Sequence, residues 1–76
     1  MAQNADILAA NVKRLRRERK FSQEGLAAAA DLRQAVVSEI ERAEANPTLA
    51  SLTKLANALD VRLAELFDPR GIRSAG

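Results

Sequence analysis

The stretch Ser22–Arg42, SQEGLAAAADLRQAVVSEIER, decides how the rest of this 76-residue chain is read. The Ser22 hydroxyl can accept hydrogen bonds from the free backbone N–H groups of a first helical turn, which predicts a helix from Gln23 to about Ala30. Asp31 breaks it. Asp is poor in helix interiors and tolerates turn and left-handed backbone, and the apolar Leu32 beside it would pin the turn to a core. A further helix is expected from Arg33 or Gln34 to Arg42. Val36, Val37 and Ile40 give it an apolar stripe at helical spacing, while Gln34, Ala35, Ser38 and Glu39 fall on the other side.

That outer face is short, polar and uncrowded. Two helices joined by a few residues, the second carrying small hydrogen-bonding side chains outward, make a helix-turn-helix whose second helix can enter a DNA major groove. The wider pattern is SQxxLAxxA, an apolar turn residue, xxxxVSxIER, then xxxNPTLxxLxxLAxALxVxLxELF. From about Asn11 to Phe67 it resembles the DNA-binding domain shared by phage repressors, Cro proteins and bacterial XRE-type regulators. The resemblance implies an all-α fold, a compact five-helix bundle of the lambda-repressor-like type with the helix-turn-helix at helices two and three.

Composition narrows the chemistry. One domain is expected at this length, with no second domain for ligand sensing. The hydrophobic fraction of 47% is ample for a core, and much of it is Ala, which suits closely approaching helices. The absence of Cys and His excludes a thiol or imidazole metal site, a catalytic thiolate, a His base and a disulfide. No cofactor is expected. Without paired carboxylates, a Gly-rich phosphate loop or a base near Ser22 or Ser38, neither is an enzyme. No apolar run approaches the roughly 20 residues of a membrane span, and the N-terminus lacks a signal-peptide layout, so a cytoplasmic, nucleoid-associated protein is expected. Net charge is only +2, yet Lys13, Arg14, Arg16, Arg17, Arg19 and Lys20 crowd against a lone Glu18. Such clustering suits a phosphate-binding surface, or a solvated helix end where cations complement the dipole.

Residues 1–5 carry little pattern and are expected to be disordered; the domain spans 6–67, and 68–76 reads as a flexible tail. The first helix should run from Asp6 to about Lys20, burying Leu8, Val12 and Leu15 with Ile7 at the margin. Phe21 and Leu26 are placed to staple the next helix start. Pro47 interrupts the loop after Arg42, and Thr48 should cap a fourth helix whose apolar face is Leu49, Leu52, Leu55, Ala56 and Leu59. Leu63–Phe67 forms a last helical piece, after which Asp68, Pro69 and Gly71 should end regular structure.

The resemblance also implies a DNA site. Gln23 matches the residue that contacts the DNA backbone and braces the recognition helix. The base-reading positions carry over to Arg33, Gln34, Ala35, Ser38 and Glu39. Gln34 suits adenine, Arg33 guanine, Ala35 a thymine methyl and Glu39 cytosine. Arg42 and Asn46 match phosphate contacts, with Lys13, Arg14 and Arg17 as further phosphate candidates. Arg16 and Glu41 match a structural ion pair between helices one and three. Four departures stand out: Asp31 at the usual turn Gly, Arg33 at the usual cap of helix three, Gly25 for a helical Glu, and Ala43 for the Gly after helix three. The expected partners are double-stranded DNA and a second copy of the chain; the C-terminal residues Leu59, Val61, Leu63 and Leu66 read either as the surface for that pairing or as cover for the core, with Leu63, Leu66 and Phe67 over its base. The expected role is a repressor on an inverted repeat; the alternative is a protein-interaction module such as an antitoxin, with DNA binding secondary.

Overall fold

The computed structural model describes residues 4–73. The disorder expected for residues 1–3 and the tail expected for 74–76 lie outside the described residues. Among those described, all regular structure is helical, in the order α1 (Asn4–Glu18), α2 (Gln23–Ala30), α3 (Gln34–Glu41), α4 (Leu49–Leu59), a 3-10 helix (Leu63–Phe67) and α5 (Arg70–Arg73). Two expectations need correction. The fifth helix of the bundle is a 3-10 turn, and the chain regains helical structure at Arg70 instead of leaving it at Asp68. The helical turn follows from Asp68, whose carboxylate accepts from the Arg70 backbone N–H at 2.9 Å and so starts it.

α1 also begins earlier than Asp6, at Asn4, and ends at Glu18, before Lys20. Its end shows how this chain stops helices. Lys20, Asp31, Ala43 and Asp60 all have φ between 56° and 60°, and none is glycine. At each, the next residue donates its N–H five residues back: Phe21 to Arg16, Leu32 to Ala27, Glu44 to Glu39 and Val61 to Ala56. This is the Schellman closure, in which a left-handed residue satisfies the last carbonyls. Phe21, Leu32 and Val61 then fold back as partly buried side chains against the core. The starts are equally local. Ser22 Oγ accepts from Gly25 N–H at 2.9 Å and Thr48 Oγ1 from Ser51 N–H at 3.1 Å.

The core joins Leu8, Val12 and Leu15 of α1 to Leu26, Ala27 and Ala30 of α2, Val37 and Ile40 of α3, and the α4 residues Leu52, Leu55, Ala56 and Leu59, with Leu66 beneath. The alanines let α2 lie close to both α3 and α4, and α1 packs across α3 and the 3-10 helix. Burying each large aliphatic side chain contributes about 1.5–3 kcal/mol. One apolar expectation changes. Leu49, placed on the buried stripe by its spacing, is 67% exposed. As the first residue of α4 it precedes the turns covered by α2 and the 3-10 helix. Between the two roles left open for the C-terminal residues, Leu59 and Leu66 take the core one and are fully buried, while Val61 and Leu63 reach the surface in part.

One buried polar residue carries a join. Asn11 is wholly enclosed, and its Nδ2 donates to the carbonyls of Leu66 and Asp68, each at 3.0 Å. It thereby ties the end of the 3-10 helix to α1. Gly71 lies over it: a Cβ there would collide with Asn11 Oδ1 and come within 2.8 Å of Arg14 Nη2.

Candidate nucleic-acid interface

The outer half of α3 is presented by its neighbours. Val37 and Ile40 are sealed into the core, so Arg33, Gln34, Ala35 and Glu39 are exposed and Ser38 half-exposed along one side. Arg33 takes extended backbone at the helix start without a side-chain cap bond, which leaves its guanidinium available. The helix therefore begins on its backbone alone.

A polar chain runs from the core to this face. Arg16 of α1 donates from Nε to Glu41 Oε2 at 2.6 Å and from Nη2 to Oε1 at 3.1 Å, while its Nη1 donates to the Phe21 carbonyl at 2.9 Å. Glu41 Oε1 also accepts from Gln23 Nε2 at 3.1 Å, and Gln23 Oε1 accepts from Gln34 Nε2 at 3.1 Å. Four side chains from three helices are thus linked end to end. The two charged side chains are only 12% and 2% exposed, so the pair sits where charge is costly to leave alone. Burial by itself would push the Glu41 carboxyl up, but hydrogen bonds from Arg16 and Gln23 and the charges of Arg16 and Lys13 hold it below its ordinary value. The Arg16 guanidinium is raised in turn, chiefly by its hydrogen bond to Glu41.

The chain matters to Gln34 for a simple reason. A carboxamide has two N–H donors and a carbonyl, and Gln23 takes only one donor. The other donor and the carbonyl remain, which is the complement needed for the N7 and N6 edge of adenine. Gln23 fixes which way they point.

At the far end of α3, Arg42 donates from Nη1 to Ser38 Oγ and from Nε to Glu44 Oε1, the latter at 2.9 Å. Glu39, Glu44 and Asn46 border one shallow hollow with Val36, Pro47 and Thr48, between α3 and the start of α4. The structure therefore groups Gln23 with Gln34, and Ser38 and Arg42 with the edge that holds Glu39 and Asn46. Of the α1 basic residues, Lys13 is near enough to Glu41 for its charge to favour the carboxylate. Arg17 is exposed. Arg14 is not brought to helix three. It pairs with Glu18 at 3.1 Å and lies beside Val61, Glu65, Asp68 and Gly71. Positions two apart on a helix point about 200° away from each other, so the residue that flanks Arg16 by two cannot share its face.

Two residues that sequence reasoning passed over have roles here. Asn11 had a signal, a polar residue spaced three from Leu8 and four from Leu15 on an otherwise apolar stripe. Glu44 had none, since its partner depends on how the chain turns after Arg42.

A sequence model described as helix-turn-helix matches residues 12–66. The chain is 40% identical over 63 residues to an uncharacterized HTH-type transcriptional regulator, y4dJ, of Sinorhizobium fredii, covering 83% of this chain and 82% of that one. It is 36% identical over 69 residues to the control protein C.SmaI of Serratia marcescens, covering 91% and 82%. Among solved structures, it is similar to the restriction-modification controller protein C.AhdI of Aeromonas hydrophila, with a TM-score of 0.80, 35% identity, and coverage of 83% of this chain and 96% of that one. It is also similar to a hypothetical transcription factor, NHTF, from Neisseria, with a TM-score of 0.87, 33% identity, and coverage of 96% and 84%.

Proposed function

Since this chain belongs to the XRE-type helix-turn-helix family of DNA-binding transcriptional regulators, we propose that it is a repressor that binds an inverted-repeat operator as a homodimer, with α3 in the major groove. The observation that carries this reading is the braced outer face of α3: exposed Arg33, Gln34, Ala35 and Glu39 beside a Gln34 side chain oriented through Gln23 by the buried Arg16–Glu41 pair.

In this reading Gln34 reads adenine, Arg33 guanine and Ala35 a thymine methyl, while Ser38 and Glu39 contact or reject neighbouring base edges. Gln23, Arg42 and Asn46 hold the phosphates on either side, with Lys13 and Arg17 adding longer-range attraction. One short helix reads only a few base pairs. Useful specificity therefore comes from two copies on half-sites about one helical turn, ~34 Å, apart. Val61 and Leu63, partly exposed after α4, offer apolar surface for that pairing. Similarity to named control proteins supports a small regulator of this kind.

Selection from a random duplex library at near-physiological salt, with nonspecific competitor, tests the reading. Enrichment of an inverted repeat with half-sites about a turn apart is the expected result. Salt-sensitive background with no enriched motif would overturn it and move weight to a protein-interaction module of the antitoxin kind.

A further inference from the structure

The loop after α3 holds an acidic residue against the one basic side chain at that helix end, and the backbone is shaped to put it there. Ala43 sits at φ 58°, and the Glu44 N–H bonds back to the Glu39 carbonyl at 3.0 Å. That reversal returns Glu44 alongside Arg42, whose Nε it binds at 2.9 Å, while Ser38 Oγ accepts from Nη1. Both charged groups are open to solvent, 54% and 61% exposed, so the pair adds little to stability. Its effect is on the guanidinium. An Arg fork offers five N–H donors arranged for a carboxylate or a phosphate, and here a carboxylate already holds it. Glu39 borders the same hollow, so a second negative charge faces the same edge.

Resting on the DNA-binding reading above, we propose that Glu44 is an internal stand-in for phosphate: it occupies Arg42 in the free protein, must be displaced when DNA binds, and so sets the affinity and salt dependence of the interface. Ser38 keeps the guanidinium over the outer face of α3 during the exchange, so that only the anion changes. A phosphate oxygen takes the place that the Glu44 Oε1 leaves. The displaced carboxylate remains beside the backbone of the duplex and opposes it.

The test is Glu44→Gln, which keeps size and polarity but removes the charge. Binding to a duplex of random sequence and to the selected operator is followed by fluorescence anisotropy across a salt series. Both affinities should rise about three- to tenfold, the range expected for releasing an exposed ion pair and removing one repulsion. The plot of log affinity against log salt should steepen by up to about 0.9, since the binding face gains one net positive charge. In an Arg42→Ala background only the relief of repulsion remains, so the same substitution should raise affinity by less than about threefold and by clearly less than in the parent, and Tm should stay within a few degrees throughout. Unchanged or weakened binding by Glu44→Gln, or an equal gain without Arg42, would overturn the assignment while leaving the DNA-binding reading in place. Failure of the parent protein to bind either duplex would overturn both.

Discussion

Removing the buried carboxylate of Glu41 should unfold much of what holds α3 in place. Glu41→Ala leaves the Arg16 guanidinium, 12% exposed, with only the Phe21 carbonyl, and leaves Gln23 without its acceptor. Breaking a buried pair by deleting one partner costs about 3–5 kcal/mol. A chain of this length has roughly 4–11 kcal/mol in all. Near half of it is at stake. At about 4–8 °C per kcal/mol for a small domain, Tm should fall by more than about 12 °C. Glu41→Gln keeps an acceptor for Arg16 but not the charge, and should cost about 1.5–3 kcal/mol, the value of a hydrogen bond to a charged group. Urea denaturation followed by circular dichroism measures both. The pH dependence provides a second arm. The folded Glu41 carboxyl titrates below its ordinary value of 4.5, so its contribution is complete above that value and disappears as pH falls through the folded one. Stability of the parent protein should therefore decline on acidification below about pH 4.5 more steeply than that of Glu41→Gln. A cost under about 1 kcal/mol for Glu41→Ala, or the same acid slope in both proteins, would refute the argument that the pair is buried and coupled.

Further outcomes follow from single residues. Ala43→Gly should stabilise by about 0.5–1 kcal/mol in urea melts, because left-handed backbone costs a side-chain-bearing residue about 1–2 kcal/mol and glycine's extra chain entropy returns part of it. Asn11→Leu fills the same space but takes the Asn11 donor from the carbonyls of Leu66 and Asp68, of which Asp68 keeps the Gly71 N–H, and the midpoint should drop by the equivalent of about 1–3 kcal/mol. Gln34→Ala should cost about 1–3 kcal/mol on the selected operator and relax one base-pair position; an unchanged selection profile would remove it from the base-reading set. Arg42→Ala should weaken binding to all duplexes and flatten the salt plot by about 0.9, less whatever Glu44 already cancels.

Much of the fold was legible because helix starts are written in single residues. Ser22 and Thr48 each have the hydroxyl that accepts from the third residue on, and α2 and α4 begin where those caps put them. Helix ends were harder. A glycine announces a left-handed stop, and this chain closes four helices on Lys20, Asp31, Ala43 and Asp60 instead. Asp31 could be anticipated from its turn chemistry, whereas Lys20 is an ordinary helix former whose stop is set by Phe21 folding back into the core. Leu49 shows the limit of periodicity. Its spacing from Leu52 is right, but spacing describes an angle around the axis and says nothing of whether a neighbour extends far enough along the axis to cover it.

The interface divides along the same line between local and nonlocal information. The exposed positions of α3 follow from the burial of Val37 and Ile40, so their identities could be read from the chain. What those side chains are free to do could not. Gln34 is held by Gln23, which is held by Glu41, which is held by Arg16, and only the fold puts 11-, 18- and 25-residue separations within hydrogen-bond reach. The consequence is that the outer face of α3 and the core share one network. A change at Arg16, at the buried end of that network, alters the acceptor that orients Gln23 and through it the donor and carbonyl Gln34 offers. Arg42 gives the opposite case: its partner Glu44 is two residues away, yet their meeting depends on the left-handed turn at Ala43, so a charge pair beside the outer face of α3 is local in sequence and still invisible until the backbone is seen.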